Sequence, residues 1–126
     1  MFDFRNIIAW QRAYAFSLEV YKVTCAFPEY EKYNIVSQFQ RAAVSIAANI
    51  AEGYKKLGKQ DKLRFLNIAQ GSLSECENYI LLSYDLHYIS DDELKKLTLL
   101  AEETEKLLNS YCAGILNNSA FVKDDL

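Results

Sequence analysis

The side chains best suited to recognition in this chain form a polar series within an alanine-rich stretch that contains no proline, between residues 34 and 57. They recur every three or four residues, so on a helix they lie along one continuous stripe. Short amides and a hydroxyl dominate the series, a mix that favours hydrogen bonding in a partly desolvated place over simple solubility. The members of this stripe are Asn34, Gln38, Arg41, Ser45, Asn49, Glu52 and Lys56.

A second polar stripe follows on the next helical stretch, after a turn centred on Gly58. Antiparallel helices joined there would align the two stripes, and Gly71 would let the two backbones approach closely. The stripes then form either a hydrogen-bonded network that fixes the register of the helices, or the lining of a groove, pore or ligand site. The predicted level pairs are Gln38 with Asn78, Arg41 with Glu75, Ser45 with Gly71, Asn49 with Asn67, and Glu52 with Arg64.

Basic residues cluster around the same turn, with Asp61 as the only acid among them. Residues 33–70 carry a local charge of +4 and residues 71–126 a local charge of −7, although the whole chain has a net charge of only −3. Cations beside a helix N-terminus can bind phosphate, which predicts a nucleic-acid or anion site. The alternative is a solvated turn in which Glu52 pairs with nearby lysines. The candidate site consists of Lys55, Lys56, Lys59, Lys62 and Arg64.

No catalytic, cofactor or metal site is predicted. His87 is the only histidine, so one chain cannot build a di-iron site with two Glu-x-x-His motifs. The three cysteines are far apart and lack the close spacing of zinc ligands. Ser72 follows a glycine, but no strand precedes it, as a nucleophile elbow requires. The sequence therefore predicts that the protein is not an enzyme, and no small-molecule substrate is evident from it.

Four helical segments account for the apolar periodicity, at residues 7–25, 34–57, 60–88 and 91–116, with a frayed tail at 117–126. Asn6 is the expected N-cap of the first, Gly58 the residue that follows the second, and Ser90 with Glu93 a capping box for the fourth. Short connections make sequential helices antiparallel neighbours. The prediction is a single all-α domain over residues 1–126, an up-down-up-down four-helix bundle.

Composition indicates an ordinary globular protein, with 51% hydrophobic and 25% charged residues. No apolar run reaches the length of a membrane span, and the N-terminus does not resemble a signal peptide. The odd number of cysteines, Cys25, Cys76 and Cys112, predicts packed thiols in the reducing cytoplasm. Nine tyrosines and a first helix that is apolar on most sides predict a homo-oligomer, unless the tyrosine rings merely cover the bundle with their hydroxyls in water.

Two blocks of sequence carry a resemblance to a known family: QFQRAAVSIAANIAEG at residues 38–53 and FLNIAQGSLSE at residues 65–75. With Trp10-Gln11 and Phe27-Pro28, they resemble the 23S rRNA-intervening-sequence protein family over about residues 4–112. The resemblance implies a bacterial four-helix bundle that assembles as a ring, a homopentamer. The chain is also similar to the accessory bundle protein of diversity-generating retroelements, which binds nucleic acid. Those relatives are basic, whereas this chain has a pI of about 5.2.

These observations together predict a cytoplasmic bundle that binds itself and RNA or DNA, with no membrane association. The alternative is a structural scaffold or protein-interaction module that binds no nucleic acid.

Overall fold

The computed structural model describes residues 2–118 and contains four α-helices in that range, with no strand. They are α1 (Ile8–Thr24), α2 (Ser37–Lys55), α3 (Lys59–Asp85) and α4 (Asp91–Asn117). Each helix packs on the next along the chain, and α4 closes the arrangement by packing on α1. The predicted all-α class and the four-helix bundle are confirmed. Of the predicted tail at 117–126, Asn117 is the last residue of α4, and residues 119–126 lie outside the described part of the chain.

The chain enters the bundle through a short 3₁₀ turn, Phe4–Asn6, which corrects the prediction that Asn6 caps the first helix. Asp3 caps this turn instead, because its carboxylate accepts from the backbone N–H of Arg5 at 2.8 Å. The Asn6 side chain reaches back to the backbone N–H of Asp3, also at 2.8 Å. Ile7 then becomes the residue before α1, without a side-chain cap.

The connection between α1 and α2 is more structured than predicted, and α2 starts three residues later. After Pro28 the chain forms a 3₁₀ turn, Glu29–Glu31, and then a wide π-helical turn, Lys32–Val36. The backbone of Asn34 departs from helical angles inside this turn. Because the wide turn changes the phase of the helix, Asn34 does not continue the α2 stripe.

The close approach between α2 and α3 occurs at Gly53, not at Gly71 as predicted. A Cβ atom on Gly53 would lie 3.2 Å from the carbonyl oxygen of Lys62 and 3.3 Å from Cβ of Phe65. Gly71 is exposed, and a Cβ there would have no neighbour within 4 Å. Gly58 also differs from its predicted role, because it is the N-cap of α3 in an extended conformation rather than the residue that ends α2.

Helix α3 ends at Asp85, three residues before the predicted end, in a left-handed turn at His87 with φ of 64°. The backbone N–H of His87 donates to Tyr84 at 2.9 Å, and that of Tyr88 donates to Ser83 at 2.8 Å. This pair of bonds is the Schellman arrangement, usually built on glycine. A histidine at that position gives no sequence signal, which explains the overextended prediction.

The capping box that starts α4 is confirmed, because Ser90 Oγ accepts from the backbone N–H of Glu93 and the Glu93 carboxylate accepts from that of Ser90. An apolar seam of α4, with members three or four residues apart, faces the core. Its buried members are Leu97, Ala101, Thr104, Leu108 and Ile115. They pack with residues of the other three helices, including Phe16, Phe39, Ile50 and Leu73.

Candidate functional site

The polar network between α2 and α3 is smaller than predicted and centres on two hydroxyls. Ser45 Oγ lies 2.8 Å from Ser72 Oγ, and both side chains are partly buried. The Asn49 amide nitrogen donates to the Ser45 carbonyl at 2.8 Å and to its hydroxyl at 3.0 Å. These contacts hold α2 and α3 at one height near the middle of the bundle.

A second contact of this network lies nearer the start of α2. The Tyr79 hydroxyl lies 2.7 Å from Oε1 of Gln38 and 3.0 Å from Oε2 of Glu75. Partial burial, with the hydrogen bond to Glu75, raises the pKa of Tyr79 above its ordinary value. Ser45 and Gln38 therefore each meet the residue one position beyond the predicted partner, Ser72 rather than Gly71 and Tyr79 rather than Asn78.

The predicted ion pair between Arg41 and Glu75 is wrong. Both residues are exposed, and within residues 2–118 no ion pair joins them. Glu52 and Arg64 do not pair either, because Arg64 binds Asp61 at 3.3 Å on its own helix. The physical reason is exposure: water solvates these charged side chains on the outside of the bundle, so pairing would gain little.

Asn67 and Asn78 are also exposed and make no hydrogen bond across the α2–α3 interface within the described residues. Of the nine polar side chains in the predicted level pairs, the structure brings together Gln38, Ser45, Asn49 and Glu75, and adds two that the sequence reasoning missed, Ser72 and Tyr79.

Two ion pairs between described residues join α1 to α4, where none was predicted. Lys96 Nζ lies 3.2 Å from Oε2 of Glu19, whose side chain is only 11% exposed. Arg12 Nε lies 3.0 Å from Oε2 of Glu103. The sequence signal that could have predicted a buried ion pair is Glu19, the only acid in α1.

The predicted basic residues do lie around the α2–α3 turn, and two of them flank an aromatic ring. Lys56 Nζ is 4.9 Å from the centroid of the partly exposed Phe65 ring, and the guanidinium of Arg64 is 4.7 Å from it. Both distances fall within the range of cation–π attraction. We call the set Lys55, Lys56, Lys59, Lys62 and Arg64 the basic corner.

Other members of the basic corner have structural contacts as well. Lys62 Nζ donates to the carbonyl oxygen of Tyr54 at 2.9 Å and lies 5.8 Å from the centroid of the Tyr54 ring. It therefore satisfies a carbonyl at the C-terminal end of α2, where a cation also complements the helix dipole. Lys55 is exposed, and Lys59 begins α3.

The opposite electrostatic character appears between α3 and α4. Partial burial first, and then the charges of Glu105 and Glu102, raise the pKa of Glu77 above its ordinary value. The uneven charge seen in the sequence thus becomes a basic corner at the α2–α3 turn and an acidic face on α3 and α4.

A groove with a volume of about 630 Å³ lies between α1 and the first half of α2. Two cationic side chains, two tyrosines and three polar side chains line it, and none of its lining residues is acidic. The lining consists of Tyr21, Lys32, Tyr33, Val36, Ser37, Gln40, Arg41, Val44 and Ser45. Arg41, predicted to face α3, is therefore part of this groove.

The cysteines only partly fit their prediction as packed thiols. Cys76 and Cys112 are buried, and burial raises the pKa of both thiols, which keeps them protonated and unreactive. Cys25 is exposed, so it is not packed as predicted. All three are free thiols.

Among residues 2–118, no group of three or more His, Cys, Asp or Glu side chains is placed to hold a metal ion. The helices described there also lack the combination of length and apolarity that a bilayer span requires.

Fold and contacts define the chain as an antiparallel four-helix bundle. A family model for 23S rRNA-intervening sequence proteins matches residues 5–110, and the chain belongs to that family. The resemblance seen in the sequence is confirmed. The comparison with curated proteins found no match.

A solved structure with the same fold comes from Bacteroides thetaiotaomicron, a protein with unknown function from the S23 ribosomal protein family. It superimposes with a TM-score of 0.77 and is 23% identical in sequence, and the alignment covers 84% of this chain and 96% of that one. At this identity the likeness establishes the fold alone.

Proposed function

We propose that this protein acts by binding rather than by catalysis, and that the basic corner contacts the phosphate backbone of a nucleic acid, with structured RNA as the partner. The observation that carries the proposal is the convergence of five cationic side chains on one interhelical turn of an otherwise acidic chain. Clustered cations gain affinity for a phosphate backbone by releasing its counterions.

The contacts within the basic corner are compatible with phosphate binding. The Arg64–Asp61 ion pair is exposed on both sides, at 62% and 59%, so it contributes little and can exchange for a phosphate. The Phe65 ring holds the charged ends of Lys56 and Arg64 close to each other at the turn.

The test is fluorescence anisotropy of a labelled RNA hairpin at about 50 mM and about 200 mM salt. If about three phosphates are contacted, affinity falls about 40-fold between the two conditions. The double variant Lys55→Gln/Arg64→Gln changes two exposed side chains and should reduce the salt slope by about 2.

The matched control is Lys95→Gln/Lys106→Gln, which removes the same charge from exposed positions on α4. Binding that is insensitive to salt, or equal losses in both double variants, would contradict a phosphate contact at the basic corner.

A second candidate function is self-assembly into a scaffold, for which the observation is an exposed apolar stripe on α1. Tyr14, Leu18 and Tyr21 are spaced as one helix face and are 48%, 58% and 46% exposed. Adjacent exposed apolar side chains of this size are typical of association surfaces. We propose a homo-oligomer that buries this stripe, with the five-membered ring as the expected form.

Sedimentation velocity tests the oligomer. Wild type should sediment as a multiple of the 14.5 kDa chain at micromolar concentration, and Leu18→Glu should shift it toward the monomer. Leu57→Glu is the control, because Leu57 is 85% exposed in the α2–α3 turn, away from the stripe. A monomeric wild type would rule the scaffold out.

We also propose a cytoplasmic location, supported by the three free thiols, one of which is exposed. Alkylation of intact cells before lysis should modify Cys25, whereas a disulfide through Cys25 would argue for an oxidising compartment.

A further inference from the structure

The groove between α1 and the first half of α2 shares only Tyr21 with the apolar stripe and no residue with the basic corner. Its volume of about 630 Å³ is in the range of small-ligand sites. Its position is distinct, because Arg41 and Lys55 are separated by about 21 Å along α2 at about 1.5 Å per residue.

The charge of the groove is positive and uncompensated locally. Lys32 and Arg41 both line it, and no carboxylate does. Arg41 makes no ion pair within residues 2–118. A guanidinium is suited to bidentate binding of a phosphate or carboxylate. The groove therefore fits an anionic ligand.

Aromatic rings lie beside these cations. Tyr21 comes from α1 and Tyr33 from the π-helical turn, and their exposed fractions are 46% and 83%. Lys32 Nζ lies 5.5 Å from the centroid of the Tyr33 ring, which places a positive charge next to an aromatic face. Planar bases stack on such rings, and their phosphates reach neighbouring cations.

The walls of the groove are fixed by hydrogen bonds between α1 and α2. The Gln40 amide donates to Oγ1 of Thr24 at 3.0 Å. The Ser17 hydroxyl lies 3.1 Å from the carbonyl oxygens of both Ala13 and Ala43. Because the two helices are held together at these points, the groove is formed before any ligand arrives, which lowers the cost of binding.

We propose that this groove binds a nucleoside monophosphate unit, with the phosphate on Arg41 and Lys32 and the base on the Tyr33 ring, which lies outside the apolar stripe. The groove is larger than an inorganic anion needs, and its aromatic residues would contribute nothing to one. The unit is either a free nucleotide or one residue of a single-stranded nucleic acid, since both present the same base and phosphate.

Isothermal titration calorimetry tests the site with three probes: adenosine 5′-monophosphate, adenosine and inorganic phosphate. We expect a dissociation constant for the monophosphate of about 1 mM or lower. Adenosine and inorganic phosphate should each bind at least tenfold more weakly, because each lacks one half of the recognised group. Comparing the monophosphate with a single-stranded oligoadenylate then distinguishes the two sources.

Arg41→Gln and Tyr33→Ala are the diagnostic variants, and both change exposed side chains whose removal should not affect folding. Each should weaken the monophosphate at least fivefold. Lys22→Gln is the matched control, because Lys22 is an exposed cation of α1 outside the groove lining and should bind as wild type does.

Three results would overturn the proposal: no binding of any probe at about 10 mM, equal binding of adenosine and its monophosphate, or unchanged binding by Arg41→Gln. The proposal for the groove and the proposal for the basic corner can be contradicted separately, because Lys55→Gln/Arg64→Gln should leave the monophosphate titration unchanged. If self-assembly occludes the groove, Leu18→Glu would restore binding that wild type lacks, and that result too would overturn the site in the assembled protein.

Discussion

The α2–α3 and α1–α4 interfaces both contain polar residues, but they use them differently. The α2–α3 helices approach closely at Gly53 and are linked by the hydroxyls of Ser45 and Ser72. The α1–α4 helices are linked by ion pairs, one of which includes the nearly buried carboxylate of Glu19. Opposite charges predicted at matching heights therefore do not suffice for an ion pair: Arg41 and Glu75 are both exposed, whereas Glu19 is nearly buried beside Lys96.

The largest expected effect comes from the close approach at Gly53. Gly53→Val would force side-chain atoms against the Lys62 carbonyl and Phe65, and we expect a loss of about 2–3 kcal/mol in the free energy of unfolding. Urea denaturation measures it.

Gly71→Ala is the matched control on the facing helix. Its new methyl group meets nothing within 4 Å, so it should stabilise the protein by about 1 kcal/mol through helix propensity. If both substitutions had the same sign, the helices would not be closest at Gly53.

The next prediction compares the observed Lys96–Glu19 ion pair with the predicted Arg41–Glu75 pair. Lys96→Gln leaves the Glu19 carboxylate without its partner and should cost about 1–2 kcal/mol, less than a fully buried pair because the lysine side chain is 56% exposed. Arg41→Gln should change stability by less than about 0.5 kcal/mol. Thermal melts of the two variants compare them directly. A larger loss of stability for Arg41→Gln would support the Arg41–Glu75 ion pair after all.

A smaller effect is expected from the hydroxyl contact. Ser72→Ala removes one partner of Ser45 and should cost about 1 kcal/mol. Combining it with Ser45→Ala should cost less than the two single losses added together, because the Ser45–Ser72 contact is counted in both single losses. Additive losses in chemical denaturation would mean that the hydroxyls do not interact.

The smallest effect concerns the acidic face of α3 and α4. Because the pKa of Glu77 is raised in the folded protein, its ionisation opposes folding as pH rises above its ordinary value near 4.5. Glu77→Gln should therefore be more stable than wild type at pH 7, by about 0.2–0.5 kcal/mol. The advantage should disappear below about pH 4, where both forms are neutral. Melts across this range test it, and a constant difference would exclude the charge effect.

Much of the fold could be predicted from the sequence, because its signals are local. The apolar seam of α4 and its capping box identify that helix without any tertiary information. The predicted bounds failed where local signals were missing or ambiguous. His87 takes a left-handed conformation at a position where glycine would have been the sequence signal. The π-helical turn around Asn34 has no simple residue pattern.

The amino-acid order by itself determined the number of helices, their antiparallel order, the family and the location of the basic corner, since each follows from spacing along one helix or across one short turn. Only the tertiary structure decided which polar residues meet. Ser45 meets Ser72 and Gln38 meets Tyr79, each one residue beyond its predicted partner, because the pairing across an interface depends on how both helices pack and not on spacing along either one. Arg41, the expected partner of Glu75, is exposed and lines the α1–α2 groove instead.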